Sequence, residues 1–213
     1  MTRRPSSFVT LGCALVVGIS IAATTATAAR ETTALTLASG RVSISGTSNI
    51  HPYTASTTNV RMVRVQLANG VAAGGWSDVL KPGALEAFEI AIPAATLSSP
   101  KDGIDKTMHK ALKAEEHPDI TFRLARLEAG AAPGALRGVG TLAIAGVARE
   151  IALELKTQES GSTLAVKGEL QLLMTDYGIT PPKAMLGMLK TDPRVTITFE
   201  TVLALPQAPA STN

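Results

Sequence analysis

Glu150-Ile-Ala-Leu-Glu-Leu-Lys156 and, beyond Ser160-Gly161, Leu164-Ala-Val-Lys-Gly-Glu-Leu-Gln-Leu-Leu-Met174 alternate with a period of two. Ile151, Leu153 and Leu155 share one parity, and Glu150, Glu154 and Lys156 the other. In the second run Leu164, Val166, Leu170, Leu172 and Met174 oppose Lys167, Glu169 and Gln171. Side chains on a strand point to opposite faces in turn, so each run has one apolar face and one wet face. A buried parallel sheet would read as continuous apolar runs, so the pattern is antiparallel.

The same rhythm extends outward. Val195, Ile197 and Phe199 alternate with Thr196, Thr198 and Glu200. Two runs change phase midway: Val60 and Met62 give way to Val63, Val65 and Leu67, and Ile120, Phe122 and Leu124 give way to Leu127. A bulge inserts one residue, restores the inward face and bends the strand, which helps a sheet to close. Asn69-Gly70, Pro82-Gly83, the stretch Gly130 to Gly134, Gly146 and Ser160-Gly161 punctuate the chain. About eight short strands with such turns between them give an all-β sandwich or barrel.

Two segments break the rhythm. Between Asp105 and Glu116, the residues Ile104, Met108, Ala111 and Leu112 form one helical stripe, with Lys106, Lys110, Lys113 and Glu116 off it. Pro118 is the expected stop. From Pro181 to Lys190, Ala184, Met185, Leu186, Met188 and Leu189 cover nearly the whole circumference of a short helix. A surface helix would keep a polar face, so this one needs apolar surroundings on most sides.

The 213 residues are 45% hydrophobic, 17% charged and 3% aromatic, the composition of a globular chain with an aliphatic core. The N-terminus reads as a cleaved signal peptide over residues 1–28. Arg3 and Arg4 precede the uncharged apolar stretch Phe8 to Ala23, and Ala26-Thr27-Ala28 fits a small-residue cleavage site. That stretch is short for a membrane span, so no span is expected in the mature chain. Cleavage removes two of 20 basic residues and leaves 18 against 17 acidic ones, too balanced for a nucleic-acid footprint. It also removes Cys13, the only cysteine, and with it any disulfide or thiolate site. Residues 29–205 then form one domain, and residues 206–213 read as a frayed tail.

The sequence offers no catalytic constellation. It has no serine elbow, phosphate loop or Cys/His zinc spacing. His109 and His117 stand eight apart beside Glu115 and Glu116, whereas helical ligand pairs stand three or four apart, so no metal is expected. His51 lies between two expected strands. It reads either as a polar group at a barrel mouth or as a turn residue that serves the backbone, the commoner use of loop polar groups. Asp176 and Tyr177 end a strand and offer turn chemistry or rim contacts. Met108, Met174, Met185 and Met188 fall on the expected helices or on the strand leading into one. Methionine fills gaps in cores and also accommodates ligands of variable shape, and small barrels often enclose one apolar ligand.

Three segments taken in order carry a resemblance. Met108-His-Lys-Ala-Leu-Lys-Ala-Glu-Glu-His-Pro-Asp-Ile-Thr-Phe122, Gly140-Thr-Leu-Ala-Ile-Ala-Gly-Val-Ala-Arg-Glu-Ile-Ala-Leu153, and Val166 to Ile179 closing on Asp176-Tyr-Gly-Ile179 are similar to signatures of the YceI-like family. The resemblance implies an antiparallel, lipocalin-like extended β-barrel with one or two short helices and a long apolar cavity. It also implies a periplasmic location and a polyisoprenoid or other amphiphile as ligand. His51 matches a histidine that follows the family's first strand, and Met108, Leu112 and Phe122 match positions flanking the cavity helix. The chain departs from the family in three places. The tryptophan common near the first strand is absent, Trp76 being the only one; Pro52 follows His51; and the segment from Pro181 to Lys190 is longer than in many relatives.

Together these readings give a binding or carrier protein without enzymatic activity or cofactor, holding an apolar or amphiphilic small molecule. Its site is expected from His51, Met108, Leu112, Phe122, Met174, Tyr177, Met185, Leu186, Met188 and Leu189, with the segment from Pro181 as a lid. The alternative is an interaction module with a side-chain-filled barrel whose apolar helix docks on a partner, and a homodimer stays open.

Overall fold

Strands account for almost all of the regular structure, as the two-residue rhythm requires. A computed structural model describes residues 35–71, 75–132, 135–184 and 188–205. The expected signal peptide and the tail from residue 206 lie outside them. The elements in chain order are β1 (Thr36–Ser48), β2 (Pro52–Thr57), β3 (Arg61–Leu67), α1 (Trp76–Val79), β4 (Leu85–Pro93), α2 (Asp102–Ala111), β5 (Asp119–Ala129), β6 (Leu136–Ile144), β7 (Val147–Ser160), β8 (Thr163–Leu173), β9 (Lys183–Ala184) and β10 (Leu189–Ala204). The sheet order is β2-β1-β10-β8-β7-β6-β5-β4-β3, with β9 pairing β10 at its start. All ladders are antiparallel, and the count is ten strands rather than about eight.

The sheet curls into a lipocalin-like barrel, and residues from its distant strands meet inside. One buried cluster joins Val42, Ile92, Leu97, Leu112, Ile144 and Ile179; a second joins Leu35, Trp76, Val79, Leu164 and Leu203. Both phase changes in the sequence are bulges in the structure. Register shifts fall between Met62 and Arg64 and between Leu124 and Arg126. The bulged Val63 turns outward to solvent while Met62 and Val65 stay inward.

Charged residues of opposite sign meet across the outer face. Glu89 faces Arg123, and Lys167 faces Glu200, with the Lys167 Nζ–Glu200 Oε1 distance 2.7 Å. Exposed pairs of this kind contribute about 0–1 kcal/mol each, so they fix register and wettability more than stability. Inside, the Phe199 ring lies over its ladder partner Gly168, where a Cβ would collide with the ring. The aromatic ring supplies the bulk that glycine lacks. β6 and β7 join through Ala145 (φ 50°) and Gly146 (φ 82°), a two-residue turn with both central residues left-handed. That geometry matches the twist of the flanking strands.

Three expectations about the irregular segments are corrected. α2 ends at Ala111, well before Pro118. Lys113 adopts φ 51°, and bonds from Lys113 N to Lys110 O and from Ala114 N to His109 O close the helix end as a Schellman motif. Local capping thus ends the helix before proline can. β8 ends at Leu173, and Met174–Tyr177 form a single 3₁₀ turn closed by Gly178 at φ 65°. The helix expected from Pro181 to Lys190 is not formed: Lys183 and Ala184 pair with Lys190 and Leu189 as antiparallel strands. Met185 and Leu186 lie outside the described residues. A ten-residue segment containing Gly187 is too short to hold a helix on propensity alone, and the described residues at its two ends pair with each other instead.

Candidate ligand cavity

The inward parity of the strands is crowded with aliphatic side chains that do not fill the barrel. Two chambers lie end to end along it and share Ile44, Ile120 and Ile197 as a waist. Ile44 and Ile197 are direct ladder partners on β1 and β10. The chamber at the α2 end measures about 520 Å³, and the one at the α1 end about 150 Å³. No carboxylate lines either chamber among the described residues. Among the described residues the α1-end chamber has no charged lining residue. Cavities lined so largely by aliphatic and aromatic side chains accept apolar molecules.

α2 closes the larger chamber. Its stripe Ile104, Met108, Ala111 and Leu112 faces inward, as the spacing in the sequence requires. Two polar contacts hold the helix in place. His109 Nε2 donates to Leu97 O at 2.7 Å, and Asp105 Oδ1 accepts from Ser99 N at 2.8 Å. Pro182 and Lys183, from the segment expected as a lid, also form part of the wall.

Polar groups gather at the mouth of this chamber: His51, Tyr53, Lys101 and Lys183. His51 combines the two roles weighed for it. Its backbone shapes the β1–β2 turn, with Ser48 Oγ donating to His51 O at 2.8 Å and accepting from His51 N at 3.1 Å. Its ring Nδ1 donates to Pro52 O at 3.1 Å, and the residue also lines the chamber. Tyr53 lies over Gly46, and burial, with the nearby Asp192 carboxylate, raises its hydroxyl pKa above 10.0. Asn49 ties this turn to the start of β10. Its Nδ2 donates to Met188 O and its Oδ1 accepts from Lys190 N, each at 2.8 Å.

His51, Met108, Leu112 and Met174 line the α2-end chamber, and Phe122 lines the α1-end chamber. Tyr177 lines neither; it is 2% exposed within the core, where burial first and Asp176 second raise its pKa, with Arg149 opposing. Met188 is 66% exposed on the rim, and Leu189 begins β10. Sequence reasoning missed Tyr53, Lys101, Lys183 and Asn49 as mouth residues. Tyr53 was findable, since it shares the inward parity of Ala55 and Thr57. Asn49 was not, because its partners are 139 and 141 residues away.

A curled antiparallel sheet around an elongated apolar interior, with polar groups at one mouth, defines a lipocalin-like barrel of the ligand-enclosing kind. Residues 40–203 match the YceI-like domain, and the chain belongs to that family. Among solved structures it is similar to Burkholderia cenocepacia BcnA (TM-score 0.60, 16% identity, covering 76% of this chain and 95% of that one). A polyisoprenoid binding domain from Saccharophagus degradans implicated in plant cell wall breakdown gives a TM-score of 0.58 at 13% identity, covering 81% and 98%. The Campylobacter jejuni YCEI protein gives 0.51 at 16%, covering 70% and 82%. A comparison with the curated proteins finds no match. At these identities the structural likeness speaks to the fold.

No described helix is long and apolar enough to cross a membrane, and no described group of three or more His, Cys, Asp or Glu could hold a metal ion.

Proposed function

We propose that the chain is a periplasmic binding or carrier protein that encloses one long apolar or amphiphilic molecule, of isoprenoid or lipid type, in the two chambers. The observation that carries this reading is the apolar interior running from the polar mouth past the waist to the α1 end. Burial is the mechanism. At about 25 cal/mol per Å² of apolar surface, covering a chain of many methylenes outweighs the cost of ordering it. The mouth groups His51, Tyr53, Lys101 and Lys183 would meet the ligand's outer polar end. The printed name of the Saccharophagus degradans relative, a polyisoprenoid binding domain, supports the ligand class. The signal-peptide pattern of residues 1–28 supports the location. The unfilled chambers weigh against the alternative of a solid interaction module.

Native mass spectrometry of the protein purified from its own host's periplasm tests the proposal. An adduct of a lipid-like mass, lost on denaturation, is the expected result. An adduct-free homodimer would overturn it in favour of the interaction module.

A further inference from the structure

The β1–β2 turn and the start of β10 form one rim at the mouth of the α2-end chamber, where Ser48, His51 and Thr191 line the cavity. Asn49 ties the two together. Its N–H donates to Lys190 O at 3.1 Å, in addition to its side-chain bonds with Met188 and Lys190. Two large apolar side chains on this rim meet water: Ile50 is 56% exposed and Met188 66%. Ile50 follows Asn49 in the chain and Met188 accepts a bond from it, so they sit on neighbouring tips. Neither packs into the two buried clusters.

Lysines accompany these tips. Lys101 and Lys183 line the mouth, and Lys190 is the direct ladder partner of Lys183. Directly opposed residues of an antiparallel pair share a face, and two like charges there repel. All three lysines are exposed, and none has an ion-pair partner among the described residues. The acids close by in the chain are engaged locally. Asp105 and Asp192 accept from the backbone N–H groups of Ser99 and Arg194, and Asp102 lies in the first turn of α2, where a negative charge suits the helix dipole. A pair of like charges held on one face is unfavourable in water and becomes favourable against a dense negative surface.

We infer that this rim docks, mouth first, on a lipid bilayer that carries anionic phospholipids. Ile50 and Met188 enter the interfacial region, and Lys101, Lys183 and Lys190 meet the phosphate headgroups. Lysine suits the place, because its flexible stem lies along apolar surface while the ammonium reaches outward. Apolar side chains set beside basic ones make up an interfacial anchor, and salt screens the electrostatic part. The purpose of docking rests on the carrier reading: a mouth held against the bilayer lets an amphiphile pass between membrane and barrel without crossing water. The docking itself depends on the rim and not on what the chambers hold.

The test sediments the protein purified from its own host with vesicles of phosphatidylcholine alone, or of equal parts phosphatidylcholine and phosphatidylglycerol. Binding to the mixed vesicles is expected, weakened by salt and far weaker on phosphatidylcholine alone. Lys183→Gln with Lys190→Gln is expected to weaken it about fivefold per lysine, and Ile50→Ser with Met188→Ser about tenfold. Lys156→Gln, the same change of charge at an exposed position of β7, is expected to leave binding as it was. Every substituted residue is exposed, so thermal unfolding should be unchanged. The rest of the chain is common to all variants, and the differences among them report the rim alone. Equal binding to the two kinds of vesicle, or rim variants that bind as the unaltered protein does, would overturn the docking surface. So would an equal loss in Lys156→Gln, the signature of diffuse charge attraction. None of these results touches the carrier reading, which is decided separately by the adduct in native mass spectrometry.

Discussion

Ile44→Phe should divide the barrel interior at its waist. Ile44 stands beside its ladder partner Ile197 and touches both chambers, so a ring in its place narrows the passage between them. The α1-end chamber measures about 150 Å³. At about 30 Å³ per water-sized group it holds roughly five methylenes. Each contributes about 0.8 kcal/mol on burial, or about 4 kcal/mol in all. Ordering their torsions, at roughly 0.5 kcal/mol each on the scale of long side chains, returns about 2.5 kcal/mol. The net loss on closing the chamber is about 1.5 kcal/mol, or roughly tenfold in Kd. The assay is a series of linear alcohols of increasing chain length, titrated against the unaltered protein and the variant. Short alcohols that fit the α2-end chamber should bind both alike. Longer ones should gain affinity with length only in the unaltered protein, and the variant should plateau about tenfold weaker. The ring's added bulk partly enters empty space, so thermal unfolding should shift by no more than the low end of an overpacking cost, about 1 kcal/mol. Parallel chain-length curves for the two proteins would refute the two-chamber reasoning.

Asn49→Ala removes both side-chain bonds that tie the β1–β2 turn to Met188 and Lys190; ligand dissociation, followed by stopped flow, should quicken about 3–10-fold, with a stability loss of about 1–2 kcal/mol. Gly168→Val drives a side chain into the Phe199 ring and should lower stability by about 1–3 kcal/mol in denaturant titration, whereas Gly161→Ala, with open space around it, should cost only its left-handed φ, about 1 kcal/mol. Tyr53 and Tyr177 both have hydroxyl pKa values raised above 10.0 by burial. The unfolded chain therefore releases these protons first. The stability they contribute is whole below pH 10.0 and is lost as pH rises through their folded values, so denaturant midpoints should fall in strongly alkaline buffer, and less so in the Tyr53→Phe, Tyr177→Phe double variant.

The strands were legible because their signal is local. Each alternating run needs only its own residues to declare which face is wet, and even the bulges at Val63 and near Arg126 showed as slips of parity. The inward stripe of α2 was legible for the same reason at a period of 3.6. The segment from Pro181 to Lys190 misled for the complementary reason. A short apolar run reads equally as helix or strand, and here Lys183 and Ala184 pair with Lys190 and Leu189 at the start of β10. Tyr177 also misled: its place in the chain suggested a rim, while the 3₁₀ turn from Met174 carries it into the core.

By itself the sequence determined an antiparallel sheet, its inward and outward faces, its bends and the covering helix, because each depends on side chains near one another along the chain. The tertiary structure alone decided that the inward faces stop short of filling the barrel, that Ile44, Ile120 and Ile197 pinch the space in two, and that Asn49 closes the mouth onto Met188 and Lys190. It also decided that Trp76 is left with an unpaired N–H. A void, a constriction and a missing partner are properties of how distant strands approach one another. Strand periodicity repeats every two residues and carries no record of that distance.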